Sequence, residues 1–394
     1  MFTFIIVFIP VFMRVNKIYS VSRRCFGRTT VFDTTTGEKR LSKQMDALQF
    51  DLKKKQVSLT KTEMPTAVES RDVVVKVKYA GVCGTDLHLM DGKFPCADWP
   101  FILGHELCGV VHSVGSKVKH VKQGDRVAVD PNSGCGTCVY CTTGRYHLCP
   151  TGGLASYIGF YKDGGWAQYC KAPAGQIYRL PESTTFQQGL LTEPMSCISH
   201  TWDMMTPVPI GSSVLVLGAG IIGNLVSALL HHSGHRKVVV CEPSPARQTL
   251  NKKLDTGFKC CSPEELKAMK DSNPQWGVDL CVDCSGSCHA MEEAMSLLNP
   301  CGRLYIFGVA SPEAKIRISP FDMFLKELSI VGSALNPYSF QNAINLINAM
   351  GSRYMEFEKL GVQLFSPEKH EEAFDSLRKG KISKAVFNFS SELD

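Results

Sequence analysis

Four cysteines lie within the stretch CGTCVYCTTGRYHLC, in the spacing C-x2-C-x2-C-x7-C. They are Cys135, Cys138, Cys141 and Cys149. Four thiolates complete a tetrahedral shell around zinc and leave no coordination position for a substrate. Such a site stabilises a loop that has little hydrophobic core of its own. The spacing therefore predicts a structural zinc site, with an iron–sulfur cluster or unmetallated thiols as the alternatives.

A second set of metal-ligating residue types lies on either side of this loop. GVCGTDLH carries Cys83, LGHE carries His105 and Glu106, and LTEP carries Glu193. Zinc held by three protein ligands keeps a free position and acts as a Lewis acid. Taken singly, each of these residues fits better a core cysteine, a surface histidine or a helix-capping glutamate. Together they offer the donors that an open catalytic zinc site needs, and both interpretations remain at this point.

A glycine pattern further along the chain predicts a dinucleotide site. GAGIIG places Gly218, Gly220 and Gly223 in G-x-G-x-x-G spacing, with Ile222 before the last glycine. The pattern follows the apolar run VLVL and opens a segment with helical periodicity, which is the context this motif requires. The glycines permit a tight turn, a close approach of the backbone to a pyrophosphate, and close packing of helix on strand.

An acidic residue after the second strand of this region predicts the choice of nucleotide. Glu242 ends the run KVVVCE, nineteen residues after Gly223. A carboxylate there accepts hydrogen bonds from the adenosine ribose and repels a 2′-phosphate, so NAD is expected rather than NADP. Arg247 follows closely and weakens this preference, because a guanidinium tolerates the phosphate.

The elements that must position these residues fall into two parts. From about residue 55 to 205, short β-rich runs such as RDVVVKVKYAGV and GDRVAVDP alternate with turns. From Gly211, apolar strands alternate with helical segments, which predicts a parallel sheet covered on both faces. The predicted fold class is α/β. The expected organisation is an extension over 1–44, a catalytic domain over 45–205, a nucleotide-binding domain over 206–335 and a return to the catalytic domain over 336–394.

Composition narrows the class of protein. The chain has 394 residues, 44% hydrophobic and 20% charged, as in a soluble globular protein. The net charge of +6 is mild and the body has no basic block, which argues against a nucleic-acid partner. The 17 cysteines are odd in number and several lie in apolar runs, as Cys108, Cys241 and Cys281 do. This usage indicates a reducing compartment rather than a disulfide framework.

The start of the chain does not fit the fold. MFTFIIVFIPVFM is apolar but too short to span a bilayer comfortably, so stable membrane insertion is not expected. The stretch after Met13 is basic and has no acid before Asp33, as in a mitochondrial transit sequence. The alternative is an upstream extension, with functional translation from Met45. The expected location is cytoplasmic, or mitochondrial if the extension is a transit peptide.

The order and spacing of these motifs resemble the zinc-dependent medium-chain dehydrogenase/reductase family over about residues 45–390. The resemblance implies a GroES-like catalytic domain, a Rossmann domain and an active site between them. It implies that Cys83 and His105 ligate the catalytic zinc and that Glu106 is a direct or exchanging ligand. Glu193 stands where alcohol dehydrogenases carry a second cysteine, which is similar to the sorbitol, arabinitol and threonine dehydrogenase branch.

The resemblance also implies a proton path and further cofactor contacts. Thr85 and His88 resemble the family's relay, in which a histidine exchanges the hydroxyl proton near neutral pH. Hydride then passes to the nicotinamide of NAD. Backbone that lines the nicotinamide is expected from two loops, which comprise Phe307, Gly308 and Val309, and Gly332, Ser333 and Ala334. A homo-oligomer is implied, with a tetramer favoured over a dimer.

The substrate is where the match ends. Mammalian-type sorbitol dehydrogenases lack the four structural cysteines and set an Arg-Tyr pair against the polyol. Here GSALNPYSF offers Leu335 and Asn336 instead. Sorbitol itself is therefore disfavoured, and other polyols, sugars, diols or an amino alcohol such as L-threonine remain. The predicted activity is oxidation of a secondary alcohol, most of all a polyol. The alternatives from other classes are a non-catalytic nucleotide-binding protein and a zinc-free quinone or enoyl reductase.

Overall fold

The computed structural model describes residues 43–67 and 69–390. The predicted extension lies almost wholly outside the described residues, and β1 begins at Gln44. The strands of the first part are β1 Gln44–Asp51, β2 Gln56–Glu63, β3 Asp72–Val82, β4 Phe101–Ile102, β5 Leu107–Val114, β6 Arg126–Val129, β7 Tyr169–Pro173 and β8 Ile177–Arg179. Those of the second part are β9 Val214–Leu217, β10 Val238–Cys241, β11 Lys259–Cys261, β12 Val278–Asp283, β13 Leu298–Ile306, β14 Ser329–Gly332, β15 Val362–Phe365 and β16 Lys384–Asn388.

The helices lie mostly in the second half of the chain. The first four are α1 Gly84–Met90, α2 Val139–Thr142, α3 Phe186–Leu190 and α4 Thr192–Met205. The next four are α5 Ile221–His232, α6 Pro245–Lys252, α7 Pro263–Ser272 and α8 Cys288–Leu297. The last four are α9 Pro320–Leu325, α10 Phe340–Tyr354, α11 Phe357–Leu360 and α12 His370–Arg378. Among the described residues, none of these helices is both long enough and apolar enough to cross a bilayer.

Two sheets form the β-rich part. Strands β2, β1 and β4 make a three-stranded sheet, and a seven-stranded sheet runs β15-β16-β3-β5-β6-β8 with β7 paired to β3. β3 is almost wholly buried and pairs antiparallel with β5, β7 and β16. Because β15 and β16 belong to residues 362–388, the seven-stranded sheet combines strands from two distant parts of the sequence.

The third sheet has six parallel strands in the order β11-β10-β9-β12-β13-β14. Counted along the chain this is 3-2-1-4-5-6, the order of a dinucleotide-binding Rossmann sheet. Its central strand β9 is the fully buried run VLVL. The continuous apolar strands of the sequence are explained by this burial on both faces.

Local sequence sets several helix starts. Ser244, Ser262, Ser287 and Ser319 are N-cap residues whose hydroxyls accept a backbone N–H of the first turn of α6, α7, α8 and α9. Such a bond satisfies a donor that has no partner within the helix. Three of these helices also have proline in the first turn, where its missing N–H costs nothing.

Candidate functional site

The four cysteines of the predicted structural site converge. Their sulfur atoms all lie within 4.8 Å of one another, and the Sγ atoms of Cys135 and Cys141 are 3.9 Å apart. A tetrahedral zinc with Zn–S bonds of about 2.3 Å separates its sulfurs by about 3.8 Å, so the arrangement fits zinc. Backbone N–H groups of Cys138 and Gly152 donate to Sγ of Cys135 and Cys149 at 3.4 and 3.1 Å. These donors favour thiolates, and N–H and hydroxyl groups around Cys135 lower its pKa to about 5.

A second group joins three residues from distant parts of the sequence. The ligand atoms of Cys83, His105 and Glu106 lie within 4.8 Å of one another. Cys83 is the N-cap of α1, while His105 and Glu106 immediately precede β5 and are buried. One thiolate, one imidazole and one carboxylate form a donor set that suits zinc and leaves a coordination position open.

Two residues that sequence reasoning missed hold these ligands in place. Asp86 Oδ1 lies 3.2 Å from His105 Nδ1, and both side chains are buried. Burial opposes a charged imidazole, but this carboxylate overcomes it and raises the pKa of His105. When the metal is bound, the same contact fixes the imidazole with its other nitrogen towards the site. The sequence did contain a signal for Asp86, because this residue belongs to the capping box that begins at Cys83.

Glu106 has a buried cation as its partner. Lys384 Nζ, from β16, lies 2.5 Å from Glu106 Oε2 and also donates to the carbonyl of Val82. Burial alone would lower the pKa of Lys384, yet the Glu106 carboxylate raises it. This pair could not be read from the sequence, because the two residues are 278 positions apart.

Glu193 lies beside this group but is not part of it. It sits in the first turn of α4 and is 5% exposed. Its Oε1 accepts the hydroxyl of Tyr157 at 3.1 Å and lies 3.7 Å from the thiol of Cys197. Burial raises the pKa of Glu193 to about 7, and the nearby Glu106 adds to this while His105 and Lys384 oppose it. Tyr157 and Cys197 are further site residues that the sequence did not reveal.

The two predicted relay residues lie on one short helix next to Cys83. Thr85 Oγ1 is 3.7 Å from Cys83 Sγ, and His88 follows one turn later on α1. Both side chains are partly exposed. Partial burial together with Lys93 and Arg378 lowers the pKa of His88, although Asp91 acts in the opposite direction.

The glycine pattern forms the turn between β9 and α5. Gly218 has φ of 95°, in the region that favours glycine, and Gly220 is the N-cap of α5. A side chain at Gly223 would place Cβ 1.9 Å from the carbonyl oxygen of Gly218. A Cβ at Gly220 would meet nothing within 4 Å. Helix and strand therefore pack through Gly223, while the backbone at Gly220 is open, as a close approach to a pyrophosphate requires, and Ile222 is partly exposed.

Glu242 lies at this turn, at the carboxyl end of β10. Its two carboxylate oxygens accept the backbone N–H groups of Ala219 and Ser244 at 2.8 and 2.9 Å. The carboxylate is thereby fixed against the glycine loop. Arg247, on α6, packs instead beside Gly380, where an added Cβ would lie 3.2 Å from its Nε.

The other predicted cofactor loops end the neighbouring strands of the same sheet. The backbone N–H groups of Phe307 and Gly308 donate to the carbonyl of Asp283, at the end of β12. Val309 follows and is exposed, and Ser333 N donates to the carbonyl of Ile306. Gly332 is the last residue of β14, and Ala334 comes two residues after it. The residues predicted to bind the two ends of the nucleotide therefore lie along the carboxyl edge of one sheet. This edge is called the nucleotide row below.

Helix α4 connects this row to the metal-ligating group. Glu193 lies in its first turn, and Thr201 Oγ1 is 2.7 Å from Ser333 Oγ. Asn336 Nδ2 donates to Ser196 Oγ and to Asp130 Oδ1 at 2.9 and 3.0 Å. Asn336 is completely buried, so its amide holds elements together and is not free to face a substrate.

Comparisons with known proteins agree with this geometry. Residues 69–182 match the Alcohol dehydrogenase GroES-like domain and residues 222–349 match the Zinc-binding dehydrogenase domain. D-arabinitol dehydrogenase 1 of Uromyces fabae is 29% identical over 86% of this chain and 95% of its own length. L-threonine 3-dehydrogenase of Pyrococcus horikoshii is 31% identical over 80% of this chain and 90% of its own.

Solved structures give the same result. A zinc-binding dehydrogenase of Sinorhizobium meliloti bound to NADP has a TM-score of 0.78 at 29% identity, covering 88% of this chain and 99% of its own. The rspB alcohol dehydrogenase of Escherichia coli with NADH has a TM-score of 0.78 at 26% identity, with the same coverage. The predicted fold class is confirmed. The chain belongs to the zinc-binding alcohol dehydrogenase family, with a GroES-like catalytic part and a Rossmann nucleotide-binding part.

Proposed function

We propose that this chain oxidises a secondary alcohol of a polyol to the ketone, with NAD as the hydride acceptor. The observation that carries the proposal is the convergence of Cys83, His105 and Glu106, with Glu193 beside them, next to the helix that reaches the nucleotide row. The named relatives include a D-arabinitol dehydrogenase, which supports a polyol. The L-threonine 3-dehydrogenase supports an amino alcohol as the second candidate.

Each group has a distinct task in the proposed reaction. Zinc, when bound, supplies a Lewis acid that favours loss of the hydroxyl proton, and NAD supplies the hydride acceptor. Cys83, His105 and Glu106 would hold the metal, while Asp86 and Lys384 orient the last two of these ligands. The hydroxyl proton passes from the buried site through Thr85 to His88, which is partly exposed and can release it to solvent.

The nucleotide site supports NAD. The solved relatives contain NADP in one case and NADH in the other. In this chain the Glu242 carboxylate lies at the glycine loop, and Arg247 packs beside Gly380. A fixed negative charge there disfavours a 2′-phosphate.

The test is a substrate panel with the metal content measured in parallel. The purified protein receives NAD and, in separate reactions, D-arabinitol, xylitol, sorbitol, a butanediol and L-threonine, and NADH is followed by absorbance. We expect turnover on a pentitol and one zinc at each of the two sites. The Cys83→Ala variant is the control and should lose the zinc of its own site and the turnover while it keeps NAD binding. Normal turnover in that variant would reject the zinc mechanism.

We also propose that the chain forms a homo-oligomer through the edge of the Rossmann sheet, with a tetramer favoured. β14 is the last strand of that sheet, and the adjacent helix α9 leaves Phe321, Phe324 and Leu325 exposed by 68%, 81% and 63%. A second exposed apolar group lies at the four-cysteine loop and consists of Val139, Tyr140, Leu148 and Tyr338. Two such surfaces fit an assembly with two kinds of contact.

For the location we propose the cytoplasm, with mitochondrial import if residues 1–44 act as a transit peptide. The basic, acid-free stretch before Asp33 supports import. A fluorescent protein fused behind residues 1–44 tests this. Mitochondrial fluorescence would assign import, and diffuse fluorescence would assign the cytoplasm.

A further inference from the structure

We infer that Tyr157 is a positioning residue that keeps Glu193 out of the direct coordination shell of the catalytic metal. This inference rests on the metal site of the proposed function. The fold brings a tyrosine and a cysteine to one oxygen of this carboxylate.

The contacts of Glu193 are directed to one of its two oxygens. Oε1 accepts from Tyr157 Oη at 3.1 Å, and the Cys197 thiol lies 3.7 Å from the same atom. Cys197 is one helical turn after Glu193 on α4, so both side chains project from the same face. An oxygen that already accepts a phenol hydroxyl and faces a thiol is poorly available to a metal ion.

Tyr157 is rigidly placed for this task. It is 1% exposed, and its ring lies 5.8 Å from the His105 ring and 4.7 Å from the Phe160 ring. The tyrosine therefore touches both a metal-ligating imidazole and the carboxylate that stays outside the group. Its hydroxyl has no room to turn towards solvent.

The four-cysteine loop helps to fix Tyr157. Tyr157 directly follows a short 3₁₀ turn at Gly153–Ser156, which lies a few residues after Cys149. Ser156 Oγ lies 3.0 Å from Ser133 Oγ, and the backbone N–H of Ile158 donates to the carbonyl of Pro131 at 3.1 Å. The segments on either side of the four-cysteine loop thus bond to each other next to Tyr157 and hold the residue that positions Glu193.

Loss of the hydroxyl changes the balance around the carboxylate. Burying a carboxylate without a strong hydrogen-bond donor is energetically unfavourable. We therefore expect it to move towards the nearest positive charge. In Tyr157→Phe that charge is the catalytic metal, because Lys384 is already engaged by Glu106. Glu193 then enters the coordination shell, closes the open position and slows substrate entry.

The experiment uses the intact protein loaded with cobalt in place of zinc. Absorbance bands that disappear in Cys83→Ala belong to the catalytic site, which establishes that site independently of turnover. We expect Tyr157→Phe to shift these bands and to release its metal to a chelator at least several-fold more slowly than the parent protein. Its kcat should fall, whereas its affinity for NAD should not change.

Two further variants separate positioning from a general loss of packing. Tyr305→Phe removes another buried tyrosine hydroxyl, which donates to the Met204 carbonyl at 2.9 Å in the Rossmann part. It should leave the cobalt bands unchanged. The double variant Tyr157→Phe with Glu193→Gln should return the bands towards those of Glu193→Gln alone, since an amide is a weak ligand. Parent-like bands and metal release in Tyr157→Phe would overturn the inference, even if the Cys83 site binds metal as proposed.

Discussion

At the residue scale, the two glutamates near the metal-ligating group differ because their partners differ. Glu106 faces the ammonium of Lys384 and lies with Cys83 and His105. Glu193 has a hydroxyl and a thiol as its neighbours, and burial raises its pKa to about 7. Identical side chains thus have different surroundings, because Lys384 and Tyr157 reach them from distant parts of the sequence.

His88 gives a prediction for the pH dependence of turnover. The proposed relay needs a neutral imidazole to accept the hydroxyl proton, and partial burial holds the pKa of His88 below its ordinary value of 6.5. Turnover should therefore be sustained above pH 6.5 and decrease as the pH falls through that lower pKa and the imidazole becomes charged. His88→Gln should lower kcat by about 100-fold and abolish this acid limb. The measurement is kcat against pH for both proteins, and an unchanged acid limb in His88→Gln would exclude His88 as the proton carrier.

Glu242 gives a prediction for nucleotide choice. Glu242→Ala removes the carboxylate that we propose disfavours a 2′-phosphate, so the ratio of kcat/KM for NAD to that for NADP should fall by about 10- to 100-fold, the size of an interaction with a charged group of about 1.5 to 3 kcal/mol. Steady-state kinetics with both nucleotides measure the ratio. Arg247→Ala is the matched variant and should leave the ratio unchanged or raise it. Equal ratios in Glu242→Ala and the parent protein would show that this acid does not read the ribose.

At the element scale, short segments carry the functional groups and long-range bonds fix the segments. Helix α1 spans only Gly84–Met90, yet it directly follows the proposed metal ligand Cys83 and carries Thr85, His88 and the aspartate that contacts His105. Helix α4 places Glu193 at one end and meets Ser333 near the other. The glycine turn is determined by packing, because Gly223 has no space for a side chain.

The four-cysteine loop is expected to stabilise the fold more than it affects the chemical step. Cys138→Ser should lower the free energy of unfolding by about 2 to 5 kcal/mol, by analogy with the removal of a native disulfide. Urea denaturation and single-turnover rates measure the two effects. Cys301→Ser, an exposed cysteine outside the loop, is the control and should change neither. A stable Cys138→Ser protein with no turnover would show that the loop has a direct catalytic role.

At the scale of the whole molecule, segments that are far apart in the sequence meet at the candidate site. β16 pairs with β3 in the seven-stranded sheet and places Lys384 beside Glu106. The stretch after β14 crosses to α4, where Asn336, Ser339 and Asn342 bond to Ser196 and Ser199. The proposed metal-ligating group and the proposed nucleotide row are therefore linked by hydrogen bonds and strand pairing within one structure.

The exposed helix α9 gives a prediction for assembly. Phe324→Asp places a charge on the proposed contact, and burial of one such ring contributes about 1.5 to 3 kcal/mol on each side of a two-fold interface. The dissociation constant should rise by at least about 100-fold. Sedimentation velocity measures the species present. Leu59→Asp, on the partly exposed strand β2, is the control, and an unchanged assembly in Phe324→Asp would rule out this edge as the contact.

The sequence by itself determined the family, the α/β fold class, the cysteine loop and the glycine turn. These features depend on residues close together in the chain, where spacing and periodicity carry the information. Only the tertiary structure decided that Lys384 pairs with Glu106, that Tyr157 holds Glu193, and that Asn336 is buried in a bond to Asp130. Lys384 and Asn336 meet partners more than two hundred positions away, and Tyr157 lies 36 positions from Glu193. No local pattern records such contacts, because they arise when separate strands and helices pack.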